Sequence, residues 1–431
     1  MTQLQSSSFR LTAVPMEKRQ TFLAVLSAVS IFLPYYITSC VIAAIAVYVI
    51  CSPQRRARII SMPYSKLIFG VVGVGMVVSL GYANYTGALV SALIGCALAV
   101  ALYLRSFMTR RLFDRMMDVV CVGGLCVSII AVAQKMASSV FTRPYVVFDN
   151  PNFFATVMEI VTLVAVYRLM ASPRRSSFYF AVAVFSGFGV YLSGSLSAFA
   201  VCTVGVAFYL VLRGHTRAGL MIVVSAAAFA LLSGEALPRL MSLLGSISVN
   251  SQENSAAAQA VEKTAAEILT IRPVEEVGGS IANRFSIWKT ALMAIPDHLL
   301  LGQGPNTYAM VYSRYLGFAS SHTHNMILDV ILNYGILGGG AIFFFALQQF
   351  HTAVRKVRER KSTTTNLLLI VLCVMMAMHG MTDVTLLWPQ TGLLFLLIYS
   401  SSGIRTVPQA RCFVLRAPDF TANHEFKGNV Q

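Results

Sequence analysis

Long apolar segments separated by short polar stretches dominate the sequence between about residue 20 and residue 403. A helix that crosses a membrane needs roughly 20 mostly apolar residues, and by that criterion we count about twelve candidate spans. They lie near residues 20–34, 36–51, 65–82, 86–104, 117–134, 153–170, 177–193, 196–212, 218–234, 323–347, 364–382 and 385–403. The chain is only 12% charged, too little to cover a soluble fold, since soluble chains carry about 25%. The sequence therefore predicts an all-α polytopic membrane protein.

The basic residues test this count, because cytoplasmic loops of membrane proteins carry an excess of Lys and Arg. If the N-terminus is cytoplasmic, 25 of the 33 basic residues fall inside and the other 8 fall outside. The net charge of +16 is then a topology signal, and we expect no nucleic-acid partner. Both termini are predicted to be cytoplasmic. We expect no cleaved signal peptide, so that the first span stays as an anchor.

The same alternation divides the chain into four segments. Residues 1–233 are N-terminal transmembrane helices, 234–322 a large extracytoplasmic loop, 323–403 C-terminal transmembrane helices and 404–431 a cytoplasmic tail. The loop is too polar to span, and its Ala-, Gln- and Glu-rich part, 250–268, favours helix.

An apolar stripe follows in the loop, where four large side chains recur at helical spacing. It predicts a helix that either lies on the membrane surface or packs on the spans. The stripe consists of Phe285, Trp288, Leu292 and Ile295.

A first candidate site in the loop combines Arg284 and Trp288 with Gly302 and Gly304. The arginine fork keeps its charge and suits phosphate oxygens, and the glycines permit a tight turn or a close approach by a ligand. A solvated surface charge is the alternative for Arg284.

Two histidines, His322 and His324, mark the point where the loop enters the tenth span, and Asn325 follows them. Imidazole exchanges a proton near neutral pH, although two interfacial histidines need no function. With no Cys or acidic partner at ligand spacing, we expect no metal and no cofactor. We interpret the eight cysteines as small apolar packing residues, since none falls in the large loop.

Further polar residues lie at predicted outer turns. Arg143, Asn150 and Asn152 flank Pro151 before the sixth span, and His379 and Asp383 end the eleventh. Ordinary turns explain the Asn residues equally well. Ser193-Gly194-Ser195 is another such turn, and Glu159 and Asp329 are carboxylates near the membrane.

Together these motifs resemble the O-antigen ligase and O-antigen polymerase family of bacterial membrane proteins, over roughly residues 140–400. The matching elements are an Asn-Pro-Asn segment, a Ser-Gly-Ser turn, an outer-loop Arg with Gly-x-Gly, a His-Asn pair before Gly-x-x-Gly, and a final outer turn. In this chain they are Asn150–Asn152, Ser193–Ser195, Arg284 to Gly304, His324-Asn325 with Gly335–Gly338, and His379 with Asp383.

The resemblance implies a metal-independent enzyme of the bacterial inner membrane that moves a glycan from undecaprenyl pyrophosphate to an acceptor glycan, lipid or protein. His324 would be the base, with His322 as its substitute, and Arg284 the cation at the pyrophosphate. The substrate-binding residues would be Arg143, Asn150, Asn152, Trp288, Gly302, Gly304, Arg314, Asn325, His379 and Asp383. The family's arginine after Ser-Gly-Ser is replaced by Leu196, and Arg143 or Arg314 are the candidates to substitute for it.

The sequence leaves polymerase and ligase open. A multi-span transporter of an envelope lipid or glycan is the rival class, but related halves, which many transporters have, are not visible. The third hypothesis is a non-catalytic scaffold for envelope assembly.

Overall fold

The computed structural model describes residues 16–137, 143–232, 281–361 and 363–404, and within these ranges the chain is all-helical. The described α-helices, numbered in chain order, are α1 Met16–Ser30, α2 Tyr35–Ile50, α3 Pro53–Ile60, α4 Ser65–Gly81, α5 Tyr85–Phe107, α6 Arg110–Ala137, α7 Pro151–Ala171, α8 Ser176–Leu192, α9 Leu196–Leu212, α10 Thr216–Leu232, α11 Ile281–Ala294, α12 Thr307–Val311, α13 Met326–Arg358, α14 Thr363–Gly380 and α15 Pro389–Tyr399.

Five of the described helices are long and apolar enough to cross a membrane: α5, α6, α7, α13 and α14. A sixth span results if α2 and α3, which meet at an angle of 101°, count as one broken span. Each of the twelve predicted segments contains a helix, but several of these helices have 17 residues or fewer. At about 1.5 Å per residue they fall short of a hydrocarbon core of about 30 Å. The predicted count of about twelve spans is therefore not confirmed.

The large loop predicted at 234–322 is not confirmed either. Its helical segment at 250–268, like the C-terminal tail, lies outside the described residues, and only positions from 281 onward can be compared.

Helix α7 forms the centre of the bundle and packs against α6, α8, α9, α14 and α15. Apolar side chains surround it, as expected of a fully enclosed helix, and every residue from Phe154 to Arg168 is buried. Its first turn lies at one end of the bundle and its last turn at the other, so α7 connects two polar regions described below.

Helix α13 is broken at Gly335, whose backbone has φ 63° and ψ −174°. The loop before α12 fills the break. The N–H of Ile336 donates to Leu299 O at 2.8 Å, and the N–H of Gly304 donates to Asn333 O at 2.8 Å. Backbone groups freed inside a membrane must find protein partners, because lipid offers none. The loop and the break therefore stabilise each other.

We predict that Gly335→Ala destabilises the protein strongly. A Cβ at Gly335 would lie 2.3 Å from the backbone of Leu300, at a φ that side chains rarely adopt. Strain and overpacking each cost about 1–3 kcal/mol, so we expect a markedly lower unfolding midpoint in detergent. Gly340→Ala is the control, since nothing lies within 4 Å of that position in the same helix. Equal midpoints for the two variants would contradict the packing of this loop.

The apolar stripe of the loop is only partly inward-facing. Trp288 and Ile295 of the stripe are partly buried against a cluster that includes Ile287, Ala291 and Leu332. Phe285 and Leu292 are 55% and 58% exposed. Helix α11 thus packs on the bundle, as one of the two alternatives predicted, and contact of its exposed apolar face with the membrane surface stays a prediction.

Candidate active site

Two histidines converge on one carboxylate. His322 Nε2 lies 2.9 Å and His324 Nδ1 lies 3.1 Å from the same oxygen, Oδ1 of Asp383. The two imidazole rings are 4.3 Å apart between centroids. Asp383 is 3% exposed, so this carboxylate is a buried anchor for both rings.

The chain brings these groups together from two helix termini. His324 lies two residues before α13 and Asp383 three residues after α14. His324 has φ 50°, in a left-handed conformation that is uncommon for a non-glycine residue and clusters at functional sites. Asn325 caps α13 by accepting hydrogen bonds from the N–H groups of Ile327 and Leu328.

A third helix terminus completes the cluster. Asn152 Nδ2 donates to the second oxygen of Asp383 at 2.8 Å, and Asn152 Oδ1 accepts from Arg143 Nη2 at 2.7 Å. Arg143 Nε donates to Ser193 O, at the Ser-Gly-Ser turn. Asn150 accepts from the N–H of Asn152 as the cap of α7. The Asn-Pro-Asn segment therefore holds Asp383 and links it to Arg143.

The electrostatics of the cluster favour a charged Asp383. Burial acts to raise the pKa of Asp383, but the hydrogen bonds from His322 and His324 outweigh it and hold that pKa well below its usual range. Burial acts to lower the pKa of His322, but the hydrogen bond and the charge of Asp383 outweigh this and raise it. Asp383 thus favours the protonated form of His322.

Arg284 adds a cation from α11. It is close enough to oppose protonation of His322 electrostatically, and its Nε is buried without a hydrogen-bond partner among the described residues. One helical turn later, the indole N–H of Trp288 is also buried and unsatisfied. Buried donors without acceptors are costly, so these two atoms are suited to receive a ligand's oxygen atoms.

Several predicted binding residues take other roles. His379 is 1% exposed and lies 3.0 Å from Glu159 Oε1, itself fully buried, in a pair between α14 and α7. Arg314 pairs with Asp297 at 3.6 Å and is largely exposed. Both residues are thus paired with carboxylates of the protein itself, and substrate contact by either stays a prediction.

The glycines and Asn325 serve packing. A Cβ at Gly302 would meet the backbone of Asn333 at 2.4 Å, and one at Gly304 would collide with Ser79. The amide of Asn325 is occupied by its cap and by a 3.4 Å bond to Met381 O. Gly302 therefore allows close approach to the backbone of α13, and Gly304 allows close approach to Ser79 and Gly75 of α4. Substrate binding by these three residues stays a prediction.

The expectation that the histidines lack an acidic partner was wrong, because Asp383 is distant in sequence and joins them only in the fold. His322, His324 and Asp383 offer ligand atoms within 4.8 Å of one another and could hold a metal ion. Two imidazoles donating to one carboxylate account for the same geometry through hydrogen bonds, so metal independence remains a prediction.

We predict that activity survives a chelator. Because the carboxylate is already satisfied by the two imidazoles and Asn152, EDTA should leave turnover of the purified protein unchanged. Loss of turnover with EDTA, restored by adding Zn²⁺ or another divalent ion but not by buffer alone, would assign the three side chains to a metal centre.

The architecture and the site define a helical membrane protein with a His–Asp cluster, in which the carboxylate is buried and the two histidines are partly exposed, near an arginine. Residues 181–344 match the family described as O-antigen ligase, and this match confirms the resemblance to the O-antigen ligase and polymerase family. No curated protein matches the chain. The apolar helices and this likeness indicate a bacterial membrane protein. The matched range includes Arg284, His322 and His324 but ends before Asp383.

Proposed function

We propose that this protein transfers a glycan from an undecaprenyl-pyrophosphate carrier to an acceptor hydroxyl at the His–Asp cluster. The observation that carries the proposal is that His324 and His322 share the carboxylate of Asp383, while Arg284, whose buried Nε has no partner among the described residues, interacts electrostatically with His322. A base for the acceptor and a cation for the departing pyrophosphate are the two groups that such a transfer needs.

His324 is the base. Its Nδ1–H donates to Asp383, which leaves Nε2 unprotonated in the neutral ring, the same division of roles that an aspartate imposes on histidine in hydrolase triads. The nearest described partner of Nε2 is Ser320 Oγ at 3.4 Å, a weak contact that an acceptor hydroxyl can replace. Because Asp383 raises the pKa of His322, we assign His322 the supporting role of adding positive charge to the site.

The reaction couples one bond formed with one bond broken. The acceptor oxygen attacks the anomeric carbon, its proton passes to His324 Nε2, and the bond between that carbon and the pyrophosphate oxygen breaks. Negative charge grows on the leaving pyrophosphate. Fixed donors facing this charge lower the barrier, and Arg284 is placed to do so with the indole N–H of Trp288.

Arg143 is the better candidate for the cation that the family carries at the position of Leu196. Its Nε lies 3.3 Å from where a Cβ of Gly194 would be, so it packs on the turn that precedes Leu196. Arg314, the other candidate, is paired with Asp297. Arg143 thereby brings a guanidinium to the same turn from a different loop.

The proposal places the site at the extracytoplasmic boundary of the bacterial inner membrane, with cytoplasmic termini and about twelve spans. Polymerase and ligase differ only in the acceptor, which is a second lipid-linked glycan in one case and a lipid core or protein in the other. The contacts described favour neither.

The experiment is a transfer assay with purified protein, undecaprenyl-pyrophosphate-linked glycan and a purified acceptor, run with and without that acceptor. We expect a covalent glycan–acceptor product and release of undecaprenyl pyrophosphate only when the acceptor is present. Movement of intact donor across proteoliposomes without any product would instead establish the transporter reading. If the donor is neither consumed nor moved across the membrane, the protein would be a non-catalytic scaffold.

A further inference from the structure

A strongly basic cavity lies at the end of α7 opposite the histidines. Its volume is about 610 Å³, and its lining carries six arginines and two aspartates, a surplus of four positive charges. The charged lining residues are Arg110, Arg111, Asp114, Arg115, Asp118, Arg168, Arg174 and Arg175. None of them takes part in the proposed transfer.

A network of ion pairs and hydrogen bonds forms the floor of the cavity. Arg168 is 7% exposed and binds Asp114 at 3.0 Å and Asp118 at 2.7 Å. The hydroxyls of Tyr167 and Tyr179 donate to the same two aspartates at 2.9 and 2.6 Å. The same carboxylates also pair with Arg110 at 3.1 Å and Arg175 at 3.7 Å. Both aspartates are thus shared among Arg168 and these two arginines, and no aspartate of the lining remains for the other three.

The rim holds the surplus charge. Arg111, Arg115 and Arg174 are exposed and have no ion-pair partner within the part of the chain that the structure describes. Guanidinium groups bind phosphate oxygens through paired donors. Three such groups around an open cavity therefore suit a phosphate-bearing ligand.

The position of the cavity identifies the source of the phosphate. Helix α7 has 21 residues and spans about 30 Å, the thickness of the hydrocarbon core. Since its first turn bears Asn152 and its last turn Arg168, the cavity lies at the membrane boundary opposite the histidines. Below the cavity, Val122 of α6 and Phe180 of α8 are 51% and 61% exposed, a surface suited to acyl chains.

We propose that this cavity binds the head group of an anionic phospholipid, whose acyl chains lie along α6 and α8. Basic pockets between transmembrane helices are suited to such head groups. The proposal is independent of the transfer chemistry. It concerns the opposite boundary and would hold for either reaction and either orientation of the chain.

The test uses the purified full-length protein in mixed micelles with phosphatidylglycerol or phosphatidylcholine. We expect phosphatidylglycerol alone to raise the unfolding midpoint and to remain bound in native mass spectrometry. A triple variant, Arg111→Gln, Arg115→Gln and Arg174→Gln, should weaken the apparent affinity for phosphatidylglycerol at least about tenfold. The control triple variant, Arg56→Gln, Arg58→Gln and Arg358→Gln, removes the same charge from other exposed sites and should respond like the parent.

Each arm has a result that overturns the proposal. Equal responses of the two triple variants to phosphatidylglycerol would show a general charge effect. Stabilisation by inorganic phosphate at the same phosphate concentration would assign the cavity to a free anion. Binding of poly-glutamate in place of the lipid would assign it to an acidic protein. If the rim triple variant fails to fold, the single variant Arg174→Gln is measured in the same way.

Discussion

Replacing His324 by alanine is expected to lower turnover of the lipid-linked donor about 10²–10⁴-fold, the usual contribution of a general base. The ring is oriented by Asp383 at 3.1 Å, and Asp383 raises the pKa of His322, which favours the protonated form of that ring and makes it the poorer base. The rate is measured with saturating donor and acceptor on protein purified at equal yield.

The matched control for this variant is His351→Ala. His351 lies on the same helix, α13, but is exposed near its other end, so its loss should leave turnover near that of the parent. His322→Ala should fall between the two, since it removes a charge but not the base. Should His324→Ala and His351→Ala turn over donor alike, His324 is not the base.

Replacing Arg284 by lysine is expected to lower turnover about 10²-fold or more, as removal of a preorganised donor at developing charge does. Lysine keeps the positive charge but loses the planar fork, so its effect isolates the geometry of the guanidinium. The buried, unsatisfied Nε of Arg284 is the donor that this substitution removes. The loss should appear in the transfer rate at saturating donor.

Arg314→Lys is the control for this substitution. Its guanidinium is largely exposed and paired with Asp297, so the lysine variant should retain most of the parent's turnover. A loss with Arg314→Lys that equals the loss with Arg284→Lys would make Arg314, and not Arg143, the substitute for the family cation at Leu196.

The sequence predicted the local features of this molecule well. Apolar runs predicted the helical segments, and the motifs predicted the family and drew attention to Arg284, His322 and His324 before any fold was known. These features depend on neighbouring residues, or on residues one helical turn apart, and are therefore visible in a single sequence.

The contacts that complete the site depend on the fold. Asp383 lies 59 residues after His324, and Asn152 lies 231 residues before Asp383. Sequence spacing therefore could not predict the contact of Asp383 with His324 or with Asn152. For the same reason the sequence failed to connect Glu159 with His379. The sequence did single out Asp383 as a polar residue at an outer turn, but it could not show that the partners of this carboxylate are His322 and His324.

The glycines show a second limit of sequence reasoning. Gly302 and Gly304 predicted a tight turn or a close approach by a ligand, and Gly335 was noted only as part of a family motif. In the fold all three lie where the loop before α12 contacts the break in α13. Only the φ of Gly335 and its hydrogen-bonded neighbours distinguish the two explanations. Counting spans from the sequence has a similar limit, because a short apolar helix has the same composition whether or not it crosses the membrane.

The most direct test of the proposed site compares the parent, His324→Ala, Arg284→Lys and Arg314→Lys at equal membrane abundance, with the same undecaprenyl-pyrophosphate-linked donor and acceptor. We expect product from the parent and from Arg314→Lys, and at least a 10²-fold loss of product formation with His324→Ala and Arg284→Lys. If both of the latter variants form product at the parent's rate, the His–Asp–Arg cluster is not the catalytic site.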